Sequence, residues 1–211
     1  MAAAPPGRLT TLATGRGAAL WIVAAVGYLT LEAVAAAGFV PAYSYARNYI
    51  SDLGVDAISP RSHLMHAAFY LQGTLFFLGG VLILGIPESP RARVFLGLLA
   101  ANSIGNITIG TVHSGNVHRA GAALAIVGGN TAILAGSAVI ATVGGWRWYR
   151  RISKLLAALG LLSLLMLMIN SATSRTNLLP DGAWERGSVY SITAWQLLTA
   201  ACLMWRTAAR R

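Results

Sequence analysis

Glu32, Asp52, His118, Glu185 and Arg186 are the residues of this chain whose types fit acid–base chemistry. An imidazole exchanges protons near neutrality. A carboxylate such as Asp52 or Glu185 can fix its tautomer and raise its basicity. A guanidinium can hold an anionic headgroup, a phosphate or a carboxylate. Glu32, inside an apolar run, can act as a proton donor when desolvated and unpaired. Metal chemistry is the alternative. His63 and His66 sit three apart, and with His113, His118 and Asp52 they offer ligands that suit zinc or copper. Their spacing matches no established metal signature. Ser51 and Ser114 are available as hydroxyls, but no G-x-S-x-G elbow surrounds either. No cofactor is predicted, because no Walker loop, dinucleotide fingerprint or haem-attachment motif occurs. One cysteine, Cys202, allows no internal disulfide and reads as packing.

The elements that position these groups follow from composition. The chain has 211 residues, 56% hydrophobic and 10% charged, with a mean hydropathy of +0.62. Soluble domains carry about a quarter charged residues, so the class is integral membrane protein. The net charge of +10 does not point to nucleic acid, because the basic residues lie in short clusters between apolar runs, as topology signals do. Six spans of about 20 residues are expected near 17–39, 63–86, 94–112, 120–144, 153–170 and 189–205. None alternates as a membrane strand would. The fold class is therefore all-α, a six-transmembrane-helix bundle. Arginine and lysine counts put both termini in the cytoplasm. The strongest anchor is WRWYRRISK, with Trp146, Trp148 and Tyr149 at headgroup depth. Residues 1–16 read as a flexible cytoplasmic tail and 207–211 as a basic one, flanking a transmembrane domain over 17–206. A cleaved signal peptide is the rival reading of the first span, opposed by the span's length and by Glu32.

Small residues recur at helical spacing, Gly97, Ala101 and Gly105 on the third helix and Gly121, Ala125 and Gly129 on the fourth, and predict a close antiparallel pair. Polar residues are one-sided. In this topology the four histidines, Asp52, Asp56, Asp181 and Glu185 all fall at the outer face, and only Glu88 among the acids is cytoplasmic. Tyr70, Asn102, Asn106, Asn130, Gln72 and Gln196 lie within spans, whereas the inner half of the second helix is purely apolar and the fifth helix reads as lipid-facing. Polar groups in lipid are costly unless paired or wetted. Their distribution predicts a cavity that opens outward and closes near mid-membrane.

Three stretches resemble the DUF998 family of bacterial and archaeal membrane proteins: YSYARNYISDLGV after the first helix, HRAGAALAIVGGN opening the fourth and GAWERGSVYSITAWQL opening the sixth. The resemblance runs from the first helix to the sixth. It implies a six-helix membrane domain of a prokaryotic cell membrane with signature residues on the outer side, and it points to Ser51, Asp52, Gly54, His118, Asn130, Glu185 and Arg186. It implies no activity, and it does not include His63, His66 or His113.

The functional expectation is an outward-opening polar pocket that takes an amphiphile such as a lipid or isoprenoid. Asp52, His118, Glu185 and Glu32 would be the catalytic set. Arg186, Ser51, Asn130, Asn106, Tyr70 and Gln196 would contact substrate. Expected partners are membrane lipids and an amphiphilic small molecule, with no nucleic acid. A proton-coupled transport module and a structural subunit of a membrane complex are the alternatives. The stretch RNYISDLGVD also has a structural explanation, in which Ser51 or Asp52 caps a helical turn and Gly54 ends it in the left-handed region.

Overall fold

A computed structural model describes residues 6–87, 89–144, 147–176 and 178–209 of the chain. Glu88, Trp146, Arg210 and Arg211, and with them the basic C-terminal tail's end, lie outside the described residues. Among the described residues six α-helices follow one another: α1 Pro6–Ala36, α2 Ser62–Leu84, α3 Pro90–Thr111, α4 Gly115–Gly144, α5 Arg147–Thr173 and α6 Asp181–Ala208. No strand occurs among the described residues. Each helix packs on its chain neighbours, and α6 closes the ring against α1 while also touching α4. Short connections force antiparallel neighbours. Residues 37–61, the longest connection, hold a short 3-10 helix, η1, over Ile50–Gly54.

Five helices, all but α6, are long and apolar enough to cross a membrane. α6 is less apolar, and its polar residues Ser188, Ser191, Thr193, Gln196 and Thr199 are all buried against protein. A helix that meets protein can carry polar groups that lipid would reject. α5 shows the converse. Leu155, Leu159, Leu162, Leu165 and Met168 all stand exposed, as its apolar sequence predicted for a lipid-facing helix.

Several helices begin earlier than expected, α1 and α6 by the most. α1 begins at Pro6, so 6–16 continue the first helix instead of forming a flexible tail. α6 begins at Asp181, which makes Glu185 and Arg186 helical residues rather than loop residues. Tyr149 is also placed differently. It is fully buried, and its hydroxyl lies 2.9 Å from Thr199 Oγ1. α5 starts at Arg147, which turns Tyr149 inward onto α6, while Trp148 stays exposed.

The glycine stripes act as the spacing implies, with one exception. A Cβ on Gly105 would lie 2.4 Å from Ala125 N and 2.6 Å from Gly121 O, so α3 and α4 touch backbone to backbone there. Gly97 faces open space and takes no part. Below the middle of the bundle, Trp21, Phe76, Phe95 and Trp195 are wholly buried, with ring centroids 5.1 Å apart for Trp21–Phe76 and 5.5 Å for Trp21–Trp195. This aromatic layer fills the interior. Trp21 Nε1 donates to Phe76 O at 2.8 Å and Trp195 Nε1 to Ser153 Oγ at 3.0 Å, so neither indole N–H is left unsatisfied.

Candidate functional site

At the end of the bundle that carries η1, the connection 37–61 folds down between the helices. Ile50 and Leu53 are buried there. Two neighbours on α6 hold it. Arg186 Nη1 donates to Tyr45 O at 2.7 Å, Asn48 O at 2.9 Å and Gly182 O at 3.1 Å. Its Nη2 donates to Glu32 Oε1 at 3.3 Å and to the Tyr43 hydroxyl. The guanidinium also lies over the Tyr45 ring at 4.8 Å, a cation–π position. Glu185, one residue earlier, accepts the Ile50 backbone N–H.

Glu32 completes this arrangement. Its side chain is 1% exposed and that of Arg186 8%. Oε1 also accepts from Tyr190 Oη at 2.9 Å. A buried carboxylate is tolerable because it is paired and hydrogen-bonded. Further round the rim, Tyr49 Oη donates to Asp181 Oδ2 at 2.7 Å, and Asn170 Nδ2 donates to Asp181 Oδ1 at 2.8 Å. Burial and the neighbouring acids raise the Tyr49 phenol above its ordinary range, so it remains a donor.

Directly beneath η1 lies a hollow with a volume of about 40 Å³, room for about three waters. Its polar lining is Tyr28, Ser51, Gln72, Asn102, Asn106, Glu185 and Thr193, and Phe69, Ile109, Val189 and Ile192 supply apolar walls. Its floor is a run of amides. Gln72 Nε2 donates to Gln196 Oε1 at 2.7 Å, and Gln196 Nε2 donates to Trp21 O at 2.9 Å. Asn102 Nδ2 donates to Ala125 O at 2.7 Å, and Asn106 Nδ2 to Asn102 O at 2.9 Å. Gln72 Oε1 is buried and has no hydrogen-bond partner among the described residues.

Residues 9–202 match the family described as "Protein of unknown function (DUF998)". The chain belongs to the DUF998 family. No curated protein and no solved structure gives a match. The stretches that carried the resemblance become a physical unit in this DUF998 protein, because the ISDLG turn and the Glu–Arg pair on α6 hold each other.

The expected catalytic set is not assembled as one. Asp52 turns back on its own loop and accepts the Tyr49 N–H at 2.9 Å, which caps η1 locally. His118 Nδ1 lies 2.7 Å from Val112 O. A carbonyl only accepts, so this nitrogen carries the proton and ties the start of α4 to the end of α3. Among the described residues no hydrogen bond or ion pair joins His118 to Asp52, Glu185 or Arg186. Glu32 faces Arg186 and does not line the hollow. Of the four, only Glu185 does.

The expected binding residues divide in the same way. Ser51 and Asn106 line the hollow. Gln196 lies under it as the partner of Gln72. Tyr70 is half-exposed on the flank, donating to Gly110 O at 2.9 Å. Asn130 bridges helices, donating to Ser188 O at 3.0 Å, with Gly160 leaving space for its Oδ1. Arg186 has its terminal nitrogens committed to the loop and to Glu32, so the anion-holding role expected of it is not available here. Gly54 is not left-handed. It is close-packed, with a Cβ there 3.4 Å from the His66 ring. Sequence reasoning assigned no role to Tyr43, Tyr190, Thr193 and Asn48. Tyr43 and Tyr190 sit beside the Ile–Ser–Asp and Glu–Arg stretches, the one available signal.

Proposed function

We propose that this DUF998 protein is a binding protein of a prokaryotic cell membrane that takes the hydroxyl-bearing end of an amphiphile, such as a prenol or other lipid alcohol, into the hollow beneath η1. The observation that carries this reading is that Glu185, Gln72, Asn102, Asn106, Ser51, Thr193 and Tyr28 surround one hollow whose other walls are apolar. Carboxylates and amide oxygens accept from hydroxyls, and amide N–H groups donate to them. Among the described residues no cation lines the hollow, so nothing in its walls would pair with an anionic headgroup. The volume suits a polar end only. The hydrocarbon would lie along Phe69, Ile109 and Val189 toward lipid, and entry requires the roof loop to lift.

Glu185 is the acid–base group of this reading. Protonated, it can donate to a bound hydroxyl, and its carboxylate can take a proton back, the step that isomerisation, cyclisation or hydrolysis would need. The aromatic layer under the amides argues against a continuous path across the bundle, so transport is the weaker reading.

The test is lipid retention. Full-length protein is purified in mild detergent, and bound lipids are extracted and identified by mass spectrometry for wild type, Ala122→Phe and Glu185→Gln. Ala122 lines the hollow from α4, and phenylalanine there fills it. The expected result is one hydroxyl-headed species enriched in wild type and lost from Ala122→Phe, with thermal unfolding of the variant near wild type. An identical lipid profile in all three proteins would refute the proposal.

A further inference from the structure

Away from the hollow, three residues from three elements converge at the same end of the bundle. Asp56 comes from the connection after η1, His66 from α2, and His113 from just past the end of α3. One ligand-capable atom of each lies within 4.8 Å of the other two. The two imidazoles stack at 3.8 Å between centroids with planes 12° apart. His113 Nδ1 lies 3.9 Å from Asp56 Oδ2.

The second nitrogen of each ring is already engaged. His66 Nε2 lies 2.7 Å from Gly54 O, and His113 Nε2 lies 3.3 Å from Gly110 O. Carbonyls only accept, so each neutral ring carries its proton on Nε2 and a lone pair on Nδ1. Metal-ligating histidines are commonly fixed in this way, the non-ligating N–H donating to a backbone carbonyl. For neutral His113 the consequence is specific. A nitrogen lone pair faces a carboxylate oxygen, two acceptors with no donor between them. A cation placed there satisfies both.

We propose that Asp56, His66 and His113 bind one divalent transition-metal ion of the zinc class, with solvent completing its coordination. Two imidazoles and one carboxylate match the ligand preference of zinc and leave an open position. A tetrahedral ion at ordinary bond lengths draws its ligand atoms to about 3.3 Å apart, so binding contracts the cluster. It also fans the stacked rings, because an imidazole lone pair lies in the ring plane. The Asp56 side chain is 70% exposed and that of His113 30%, so the site is open to ions from water. The other two histidines stay outside it. His63 is exposed and His118 is bonded to Val112 O. Because His66 also holds the carbonyl of Gly54, the last residue of η1, the bound ion fastens the roof loop to α2 and α3.

The experiment uses the full chain in detergent, purified without a polyhistidine tag and stripped with chelator, then titrated with Zn(II) in equilibrium dialysis with metal quantified by mass spectrometry. The expected result is one zinc per chain, retained in His63→Gln and weakened about 100-fold or more in His113→Gln and in Asp56→Asn. Co(II) should give the visible absorption of a four-coordinate site in wild type and lose it in both variants. Circular dichroism of each variant verifies the helical fold. Zinc no higher than in a detergent blank, or binding undiminished in both variants, would overturn the site. Zinc bound without added amide-exchange protection over 50–55 would overturn the fastening of the roof.

Discussion

Replacing Arg186 with methionine should release the roof loop and destabilise the whole bundle. The magnitude follows from what remains. Glu32 is 1% exposed and loses its cationic partner, Arg186, whose side chain is 8% exposed. Breaking a buried pair from one side costs about 3–5 kcal/mol. A solvated surface pair would cost only about 0–1 kcal/mol. For a chain of this size about 2–4 °C accompanies each kcal/mol, so thermal unfolding in detergent should fall by roughly 6–20 °C. The Tyr45, Asn48 and Gly182 carbonyls lose their common donor, so amide exchange over 43–50 should quicken more than in the helices. Arg186→Lys should lie between, because an ammonium lacks the planar fork that reaches several carbonyls at once. Removing both charges, in Glu32→Gln with Arg186→Met, should recover part of the loss. Arg186→Met unfolding within about 1 kcal/mol of wild type, with unchanged exchange over 43–50, would refute the assignment of Arg186 as the fastening of the roof.

Other expectations can be checked separately. Gly105→Ala pushes a methyl into the α4 backbone and should cost about 1–3 kcal/mol, whereas Gly97→Ala meets open space and should be neutral or slightly stabilising in thermal unfolding. Gly160→Ala should displace the Asn130 amide, whose Oδ1 occupies the space a Cβ would take. Asn130→Ala in the same chain should relieve the overlap, so the double variant should unfold above Gly160→Ala alone. The Ser62 hydroxyl first, and then the His66 and His113 rings, hold the Asp56 carboxyl below its ordinary value. A lowered folded-state value adds stability at pH above the ordinary one, lost as pH falls through the folded value. The loss therefore belongs below about pH 4, and Ser62→Ala should return Asp56 toward its ordinary titration, read by carboxyl-carbon NMR.

The membrane helices were readable because lipid imposes long apolar runs, and α5 met that expectation along its whole exposed face. The α3–α4 contact at Gly105 and Gly121 was readable from small residues at helical spacing. What the helices face was harder to read. Tyr149 has the composition of a headgroup anchor, yet it is interior, because rotation about α5 is set by Thr199 across the interface. The site was legible in its parts. The Ser51–Gly54 turn and the Glu185–Arg186 pair were both singled out from sequence, but their roles were not. The types of Asp52 and His118 predict a carboxylate beside an imidazole, but a bond to the backbone three residues earlier is the shorter way to satisfy a carboxylate at a 3-10 turn. His118 was expected in the hollow, and the carbonyl at the α3 terminus holds it instead. The 3.6-residue period gives a helix face but not the tertiary partner that competes for a polar group there. Asp56 entered only when the loop was folded, since no sequence spacing relates it to His66 and His113.

Thiol accessibility of Thr193→Cys in a Cys202→Ser background tests whether the hollow opens to the outside of the cell. A small membrane-impermeant thiosulfonate is applied to intact cells and to inverted membrane vesicles. Thr193 lines the hollow, and Ala200, further along α6 and fully buried in the core around the aromatic layer, supplies the control. Thr193→Cys should be labelled from outside the cell, faster when Arg186→Met is added, and Ala200→Cys should be labelled from neither side. Labelling of Thr193→Cys only in inverted vesicles, or none with or without Arg186→Met, would contradict that opening.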